Sequence, residues 1–358
     1  MGLASLDLVD FRSFTTAHFA PDPDGTTVLL APNGTGKTSV LEAVGYLGTG
    51  RSFRGAAREV MIRNGADDAI VRATVRGEDT EVLIEAQLSR HGRSRIQVNR
   101  TAAKTRRELA DAVAVTTFAP EDVALVRGGP SGRRDVLDDA LLLLDPGAGV
   151  LLEDVARVLR QRGALLRQVR GRLDAAAAST LDVWDERLAE LGDDLARRRT
   201  ALTESLAPQI GELYRRLSAD DVAVDAAYEA SWDGPLDKAL AAARSDDVRR
   251  GVSTTGPHRD DVALHIAGRD ARTQASQGEQ RSLALSIRIA VHQRVTAARR
   301  RPPLLLLDDV FSELDAGRAT RLLELLPSGQ AILTTAVPPP PGLQPADVVD
   351  VERLHRGA

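Results

Sequence analysis

The sequence predicts an α/β fold, a mixed sheet with flanking helices into which a helical second lobe is inserted. Three observations carry this prediction. A short apolar strand, Val28-Leu29-Leu30, runs through a glycine-containing loop into a helical pattern, a second apolar strand spans Leu304 to Leu307, and long stretches of helical periodicity lie between them. We therefore divide the chain into an N-terminal part at 1–125, a helical lobe at 126–250 and a C-terminal part at 251–358.

Each element follows from a local pattern. Leu3 to Ala20 alternates apolar and polar residues, which predicts one or two strands with a turn, and residues 70–100 predict β-hairpins around His91-Gly92. From Pro130 to about Leu217 the apolar residues keep helical spacing, which predicts two long antiparallel helices, the second of them bent or broken at Pro208. The C-terminal part returns to α/β character.

Composition excludes several classes of protein. The 358 residues are 43% hydrophobic and 27% charged, as in an ordinary globular chain. There is no cysteine, which excludes a disulfide scaffold, a thiolate nucleophile and a cysteine-ligated metal site. No apolar run approaches the length of a membrane span, and the start of the chain lacks the pattern of a signal sequence. We expect a cytoplasmic protein with no membrane partner.

The loop after the first apolar strand reads Ala31-Pro32-Asn33-Gly34-Thr35-Gly36-Lys37-Thr38, close to the phosphate-binding pattern G-x-x-x-x-G-K-[ST] but with alanine in first place. Gly34 and Gly36 allow backbone N–H groups to surround phosphate oxygens, Lys37 can reach the β and γ phosphates, and the Thr38 hydroxyl can ligate Mg²⁺. The alternative is a glycine turn that binds nothing. We expect ATP and Mg²⁺ as cofactors, with the nucleotide bound by Asn33, Gly34, Thr35, Gly36, Lys37, Thr38 and Ser39.

A second feature supports the phosphate-binding prediction. Leu304 to Leu307 is short enough for a buried parallel strand, and it ends in Asp308-Asp309. Ligands of open α/β sheets bind at the carboxyl ends of the strands. We therefore expect Asp308 to join Thr38 at the Mg²⁺ ion, and Asp309 to polarise the attacking water, with Lys37 as the second catalytic group.

A third feature indicates the subclass. Ser276-Gln277-Gly278-Glu279-Gln280 precedes a helix and resembles the signature motif of ABC-type ATPases. The resemblance implies an ABC-type P-loop ATPase head, in which Ser276, Gly278 and Gln280 of one subunit close over the nucleotide of another. It also implies that Ser312 and Asp315 lie at the dimer seam. Ser276 is in addition a suitable helix N-cap.

Two departures from the ABC pattern predict slow hydrolysis. Asp309 stands where most of the superfamily has glutamate, so the carboxylate is one methylene shorter. The switch histidine expected after the next strand is absent, because Ala331 to Thr335 offers only hydroxyls.

Taken together, these motifs resemble the RecF family of the ABC/SMC superfamily. The matching blocks are Asp10-Phe11-Arg12, Asn33 to Thr38, Gly50-Arg51-Ser52-Phe53-Arg54, Phe118 to Asp122, Gly256-Pro257-His258-Arg259-Asp260-Asp261, Ser276 to Gln280 and Leu307 to Asp315. The resemblance implies an ATP-dependent homodimer that binds double-stranded DNA near gapped junctions and assists RecA loading with RecR and RecO. It implies weak, DNA-promoted ATP hydrolysis and a nucleoid-associated location. The paired aspartates and the Thr-Thr ending are usual in this family, whereas Ala31 is not.

Contacts to DNA are predicted from charge. Residues 86–107 carry seven basic residues and no acidic residue, inside a chain of net charge −4. The candidates for phosphate contact are Arg51, Arg54, Arg93, Arg95 and Arg100. The alternative is a solvated charged surface. With three Tyr, two Trp and six Phe, stacking on single strands is not favoured.

Two other functions stay open on the sequence. One is a nucleotide-gated DNA-binding scaffold with negligible catalysis, and the other is the ATPase subunit of an ABC transporter. The altered signature motif, the missing switch histidine and the helical insert argue against the transporter.

Overall fold

The protein forms two compact units in a computed structural model. The structure describes residues 2–78, 80–169, 171–299 and 301–354. The first unit comprises residues 1–123, 213–220 and 281–358, and the second comprises 124–212 and 221–280. The division therefore differs from the predicted one at its second boundary, since 251–280 group with the helical part. The reason is strand pairing, because the strand Asp261–Ile266 is hydrogen-bonded to the strand Val224–Glu229.

The strands and helices are numbered in chain order. The strands are β1 (Gly2–Phe11), β2 (Phe14–Phe19), β3 (Thr26–Leu30), β4 (Asp68–Arg76), β5 (Glu81–Ser89), β6 (Arg95–Val98), β7 (Thr101–Ala102), β8 (Val115–Phe118), β9 (Val224–Glu229), β10 (Asp261–Ile266), β11 (Arg269–Asp270), β12 (Leu304–Asp308), β13 (Ala331–Thr335) and β14 (Asp347–Asp350). The helices are α1 (Lys37–Thr49), α2 (Arg58–Met61), α3 (Arg106–Ala112), α4 (Ala124–Arg127), α5 (Pro130–Leu144), α6 (Ala148–Val169), α7 (Ala175–Ser218), α8 (Leu236–Arg250), α9 (Ala271–Gln274), α10 (Gln277–Ala298), α11 (Ala316–Leu325) and α12 (Val351–Leu354), and a short 3-10 turn spans Pro120–Val123.

The first unit contains two sheets. A five-stranded parallel sheet has the order β14-β3-β13-β12-β8, and a six-stranded antiparallel sheet has the order β2-β1-β4-β5-β6-β7. The predicted α/β head is confirmed, with its parallel and antiparallel strands in separate sheets. β3 and β12 are both continuous apolar runs, as expected of parallel strands that are covered on both faces.

The helix α1 lies between the two sheets and joins their cores. Its apolar residues are buried together with inward-facing residues of β1, β4 and β5 on one side and of β12 and β13 on the other. Alternate residues of β4 and β5 are buried, as expected for strands with one solvated face. This packing fixes the N-terminus of α1 beside the carboxyl ends of β3 and β12.

The second unit combines helices with a small sheet. The predicted pair of long helices is observed as α6 and α7, and α7 continues through Pro208 without a break. A three-stranded sheet with the order β11-β10-β9 was not expected inside this lobe. A buried ion-pair network also holds this unit together, because Arg162 is fully buried and bonds to Asp185 and Asp247, each at 2.7 Å. Within the described residues, no helix has both the length and the apolar character that a membrane crossing requires.

Candidate nucleotide-binding site

The phosphate loop connects β3 to α1 and has the backbone that its glycines permit. Gly34 and Gly36 have φ angles of 84° and 100°, in the left-handed region that favours glycine. A Cβ atom on Gly36 would lie 2.8 Å from Ser13 Oγ and 2.9 Å from Phe14 Cζ, so a side chain there would also clash. Because α1 begins at Lys37, the free N–H groups of its first turn face the loop. The loop therefore has the form of an anion-binding site.

Ala31 does not disturb the loop. The residue is 5% exposed, it is absent from the residues with positive φ, and its N–H donates to the carbonyl of Thr335 at 3.3 Å. The first glycine of the phosphate-binding pattern is therefore not needed for conformational freedom in this chain.

Lys37 is buried against the loop that it serves. Its Nζ donates to the carbonyl oxygens of Ala31 at 2.6 Å and Pro32 at 2.9 Å, and it lies 3.4 Å from Asn33 Oδ1. Burial lowers the pKa of Lys37, and the nearby carboxylates of Asp309 and Asp308 oppose that shift. The ammonium group thus faces a ring of oxygen acceptors where phosphate oxygens would be bound.

Asp308 is held by two hydroxyl groups from different parts of the chain. Its Oδ1 accepts from Thr38 Oγ1 at 2.8 Å and from Thr334 Oγ1 at 2.7 Å. Burial raises the pKa of Asp308, and the two hydroxyl donors oppose the shift. Mg²⁺ in nucleotide sites uses one or two protein oxygens and completes its shell with phosphates and water. The Thr38 and Asp308 oxygens fit that ion, and no group of three or more candidate metal ligands occurs among the described residues.

Asp309 combines a strained backbone with an unpaired carboxylate oxygen. Its φ angle is 45°, and its N–H is bonded to the carbonyl of Thr334 at 3.2 Å and to the Thr334 hydroxyl at 2.9 Å. Its Oδ1 is buried and has no hydrogen-bond partner within the described part of the chain. A buried carboxylate oxygen without a donor is costly, so it is suited to a water molecule supplied with the nucleotide. Left-handed backbone of this kind is often found at functional sites.

The loop opens into a cavity of about 650 Å³. That volume is in the range of cofactor and small-molecule sites. Asp309 lines it, together with four basic side chains: Arg12, Lys37, Arg54 and Arg90. The excess of positive charge suits a polyanion such as a triphosphate.

The structure adds residues to the site that motif reasoning did not assign. Thr334 is one, because its hydroxyl bonds both to Asp308 and to the N–H of Asp309. Arg12 is another: it donates two bonds of 2.6 Å to Glu42, a fully buried carboxylate of α1. Ser52 donates to the same carboxylate. Arg12 and Ser52 belong to blocks of the family resemblance, but neither spacing nor periodicity indicated what they contact.

The predicted DNA contacts fall into two groups. Arg54 lines the nucleotide cavity, forms a long ion pair with Glu121 at 3.9 Å, and its charge acts on Asp308, while Arg51 is half-buried. Arg93, Arg95 and Arg100 are exposed, and among the described residues none of them is paired with a carboxylate. The structure thus brings Arg54 to the nucleotide and leaves the other group at the surface.

The signature segment lies in the second unit. Ser276 is exposed and forms a reciprocal cap with Glu279, in which the Ser276 N–H donates to Glu279 Oε2 at 2.7 Å and the Glu279 N–H donates to Ser276 Oγ at 3.3 Å. The N-cap interpretation of Ser276 is therefore confirmed. Gly278 is partly buried. Gln280 is 5% exposed and its amide donates to the carbonyls of Ala271 and Arg272 at 3.0 and 3.1 Å, so its contacts in this chain are structural.

The D-loop residues are exposed in the first unit. Ser312 donates its hydroxyl to the carbonyl of Asp309 at 2.9 Å, which joins the loop to the catalytic candidate. Asp315 caps α11 by accepting from the N–H of Arg318 at 2.8 Å. Both side chains are exposed, as residues at a dimer seam would be in a single copy.

Comparison with known proteins identifies the family. The family model RecF/RecN/SMC N terminal domain matches residues 2–337. The DNA replication and repair protein RecF of Frankia alni is 39% identical over 354 residues, covering 94% of this chain and 93% of the relative. The RecF protein of Streptomyces avermitilis is 38% identical over 352 residues, covering 94% and 93%.

Solved structures agree with the sequence comparisons. The recombination mediator protein RecF of the RecFOR pathway, solved as RecF-ATP, superposes with a TM-score of 0.88 at 26% identity, covering 97% of this chain and 94% of that one. An Smc head bound to the C-winged helix domain of ScpA superposes with a TM-score of 0.55 at 18% identity, covering 94% and 90%, and so shares the fold alone. The phosphate loop, the Thr38–Asp308 contact and these similarities together place the chain in the RecF family of DNA replication and repair proteins.

Proposed function

We propose that this protein is an ATP-gated DNA-binding protein of recombinational repair. Two copies close over two Mg²⁺-ATP molecules, the closed dimer holds double-stranded DNA near gaps, and slow hydrolysis releases it. The observation that carries the proposal is the 2.8 Å contact between Thr38 and Asp308, which are 270 residues apart, next to the buried Lys37. A strand end and a helix start meet there with the oxygen and nitrogen groups that phosphates and Mg²⁺ require.

The residues of one copy have distinct roles in this proposal. Lys37 exchanges its contacts with the loop carbonyls for the β- and γ-phosphate oxygens. Thr38 and Asp308 hold Mg²⁺, which neutralises charge on those oxygens. Asp309 accepts a hydrogen from the attacking water through its unpaired Oδ1. Arg54, which faces the same cavity, adds positive charge beside the triphosphate.

Closure requires a second copy in this proposal. The exposed Ser276, at the N-terminus of the 22-residue helix α10, caps the nucleotide held by the partner, and Gly278 lets the backbone approach it. Ser312 and Asp315 lie at the seam between the copies. Family membership supports this arrangement, since the signature and D-loop segments stand in the order of the family motifs.

The DNA surface is proposed at the outer edge of the antiparallel sheet. Arg95 is on β6, Arg93 precedes that strand and Arg100 lies in the turn between β6 and β7. Their guanidinium groups are exposed and unpaired among the described residues, so they are available to phosphates. Lys104 continues the same exposed segment. Recognition by charge without base contacts suits a protein that binds duplex regardless of sequence.

RecR, RecO and RecA are proposed as partners. The family resemblance supports all three, and the related solved structures are of a recombination mediator of the RecFOR pathway. Membership of the RecF family also argues against the transporter subunit as a function for this chain.

The experiment that tests the proposal is size-exclusion chromatography with light scattering, in the apo, ADP and ATP states and with or without a gapped duplex. We expect a monomer without nucleotide, a dimer with ATP, and retention of the gapped duplex only in the ATP state. Ser276→Arg should leave ATP binding intact and prevent dimerisation, because it places a bulky cation in the seam. A dimer of the same mass in all nucleotide states would contradict nucleotide gating.

A scaffold with negligible catalysis is the second candidate. It is favoured by Asp309, whose carboxylate is one methylene shorter than the glutamate of most ABC ATPases. Single-turnover hydrolysis with and without duplex DNA separates the two candidates. DNA-stimulated hydrolysis supports the ATPase, and ATP-dependent DNA binding without stimulation supports the scaffold.

A further inference from the structure

The nucleotide cavity extends beyond the phosphate loop to a partly apolar wall. Val60, Ile62 and Asn64 line the cavity together with the loop. Val60 is 57% exposed, which is unusual for a valine beside a buried neighbour, whereas Ile62 is 3% exposed. An exposed aliphatic side chain on the wall of a polar cavity offers a surface on which a flat ring can pack.

Asn64 adds a polar group with free hydrogen-bonding capacity to this wall. The residue is exposed, and its side-chain amide has no partner within the described residues. An amide both donates and accepts, so it can pair with a base edge that carries one donor and one acceptor. Adenine presents such an edge, and asparagine is a frequent partner of adenine for that reason.

The wall is fixed to the phosphate loop through Arg12. The Arg12 guanidinium donates to the carbonyl of Val60 at 3.0 Å and to Glu42 of α1 at 2.6 Å. The backbone makes the same connection, because Arg12 N–H donates to Met61 O at 2.8 Å and Arg63 N–H donates to Asp10 O at 2.7 Å. The segment that carries Asn64 is thus held in place before a ligand binds, which reduces the entropy cost of binding.

We propose that Asn64 determines the base specificity of the site, reading the edge of adenine while Val60 and Ile62 pack against its ring. The inference rests on the proposed function, because it takes the triphosphate on Lys37 as the anchor of the same ligand. It assigns selection of ATP over GTP to a residue outside the phosphate, Mg²⁺ and signature motifs.

Isothermal titration calorimetry of the full chain with ATP, GTP and inorganic tripolyphosphate tests the inference. We expect the wild type to bind ATP at least about tenfold more tightly than GTP, as one well-placed bidentate pair allows. Asn64→Ala should weaken ATP about tenfold and leave tripolyphosphate unchanged. Asn64→Asp keeps the size but accepts only, so it should no longer pair with adenine's acceptor, should gain the guanine N–H donors and should lower the ATP-to-GTP ratio. As a matched control, Asn33→Ala in the phosphate loop should weaken all three ligands alike.

The outcomes separate this inference from the proposed function. If Asn64→Asp keeps the ATP-to-GTP ratio of the wild type, or if Asn64→Ala weakens tripolyphosphate as much as ATP, the base-reading role is overturned while nucleotide binding stands. If the wild type binds none of the three ligands, the proposed function fails and the inference fails with it.

Discussion

Thr334→Val tests how the paired carboxylates at the end of β12 are held. The Thr334 hydroxyl donates to Asp308 at 2.7 Å and accepts the N–H of Asp309 at 2.9 Å, and Thr334 and Asp308 are 0% and 3% exposed. Valine retains the branched shape and removes both bonds. A hydrogen bond to a charged group contributes about 1.5–3 kcal/mol, so we expect the free energy of unfolding to fall by about 2 kcal/mol. Burial already raises the pKa of Asp308, and removal of this donor should raise that pKa further.

The same substitution should slow hydrolysis more than it weakens binding. The N–H of Asp309 keeps only the Thr334 carbonyl at 3.2 Å, so the carboxylate that faces the attacking water is less well oriented. We expect single-turnover ATP hydrolysis to slow about tenfold, which corresponds to about 1.4 kcal/mol in the activation barrier. ATP binding should change little, because Lys37 and the phosphate loop are not touched.

The neighbouring Thr335 provides the matched control. It is 2% exposed on the same strand, and its hydroxyl bonds to the carbonyl of Val337 at 2.9 Å instead of to a carboxylate. Urea unfolding and single-turnover hydrolysis of Thr334→Val and Thr335→Val are then compared. Equal effects in the two variants, or no effect in Thr334→Val, would refute the role given to the Thr334 hydroxyl.

Four other substitutions test the remaining parts of the site and fold. Lys37→Met removes the cation that faces the phosphates and should abolish ATP-dependent dimerisation in sedimentation, whereas a dimer still formed with ATP would contradict that role. Asp309→Asn should retain ATP binding and trap the closed dimer, and faster turnover in a hydrolysis assay would argue against water activation. Replacing Arg93 and Arg95 with Ala should weaken duplex binding and flatten its salt dependence by about one unit of slope for each phosphate that is no longer neutralised; an unchanged slope would remove this hairpin from the DNA surface. Burial lowers the pKa of His292 to about 4, below its ordinary value, so the folded state holds the neutral ring and becomes less stable as the pH falls below about 6.5, by about 2 kcal/mol at pH 5; His292→Leu should remove that part of the pH dependence in urea unfolding, and an unaltered pH profile would contradict it.

Two of these experiments have internal controls on the antiparallel sheet. Arg72 and Arg76 of β4 are also basic, but they are paired with Glu85 and Glu81. Their replacement by Ala should leave the salt dependence of DNA binding unchanged. His18 is an exposed histidine beside Asp7, so His18→Leu should not reproduce the pH effect of His292→Leu.

The order of elements and the chemistry of the phosphate site were predictable from local sequence. Glycines that adopt positive φ at 34 and 36, a lysine and a threonine at fixed spacing, and an apolar strand that ends in two aspartates each act through neighbouring backbone geometry. Such features are encoded within a few residues, and the structure confirms the strands, the helices and the Thr38–Asp308 contact that they predicted.

Contacts between distant segments were decided by the three-dimensional packing. The pattern contains nothing that pairs Arg12 with Glu42, directs Arg54 into the nucleotide cavity, or engages Gln280 in backbone contacts. It also gave no sign that residues 251–280 join the helical lobe through a β10–β9 pair. A side chain's periodicity reports which face is buried, but its partner depends on which elements the fold brings together. For the same reason Ala31 looked like a defect in the motif and is harmless in the structure, where its backbone requires no glycine.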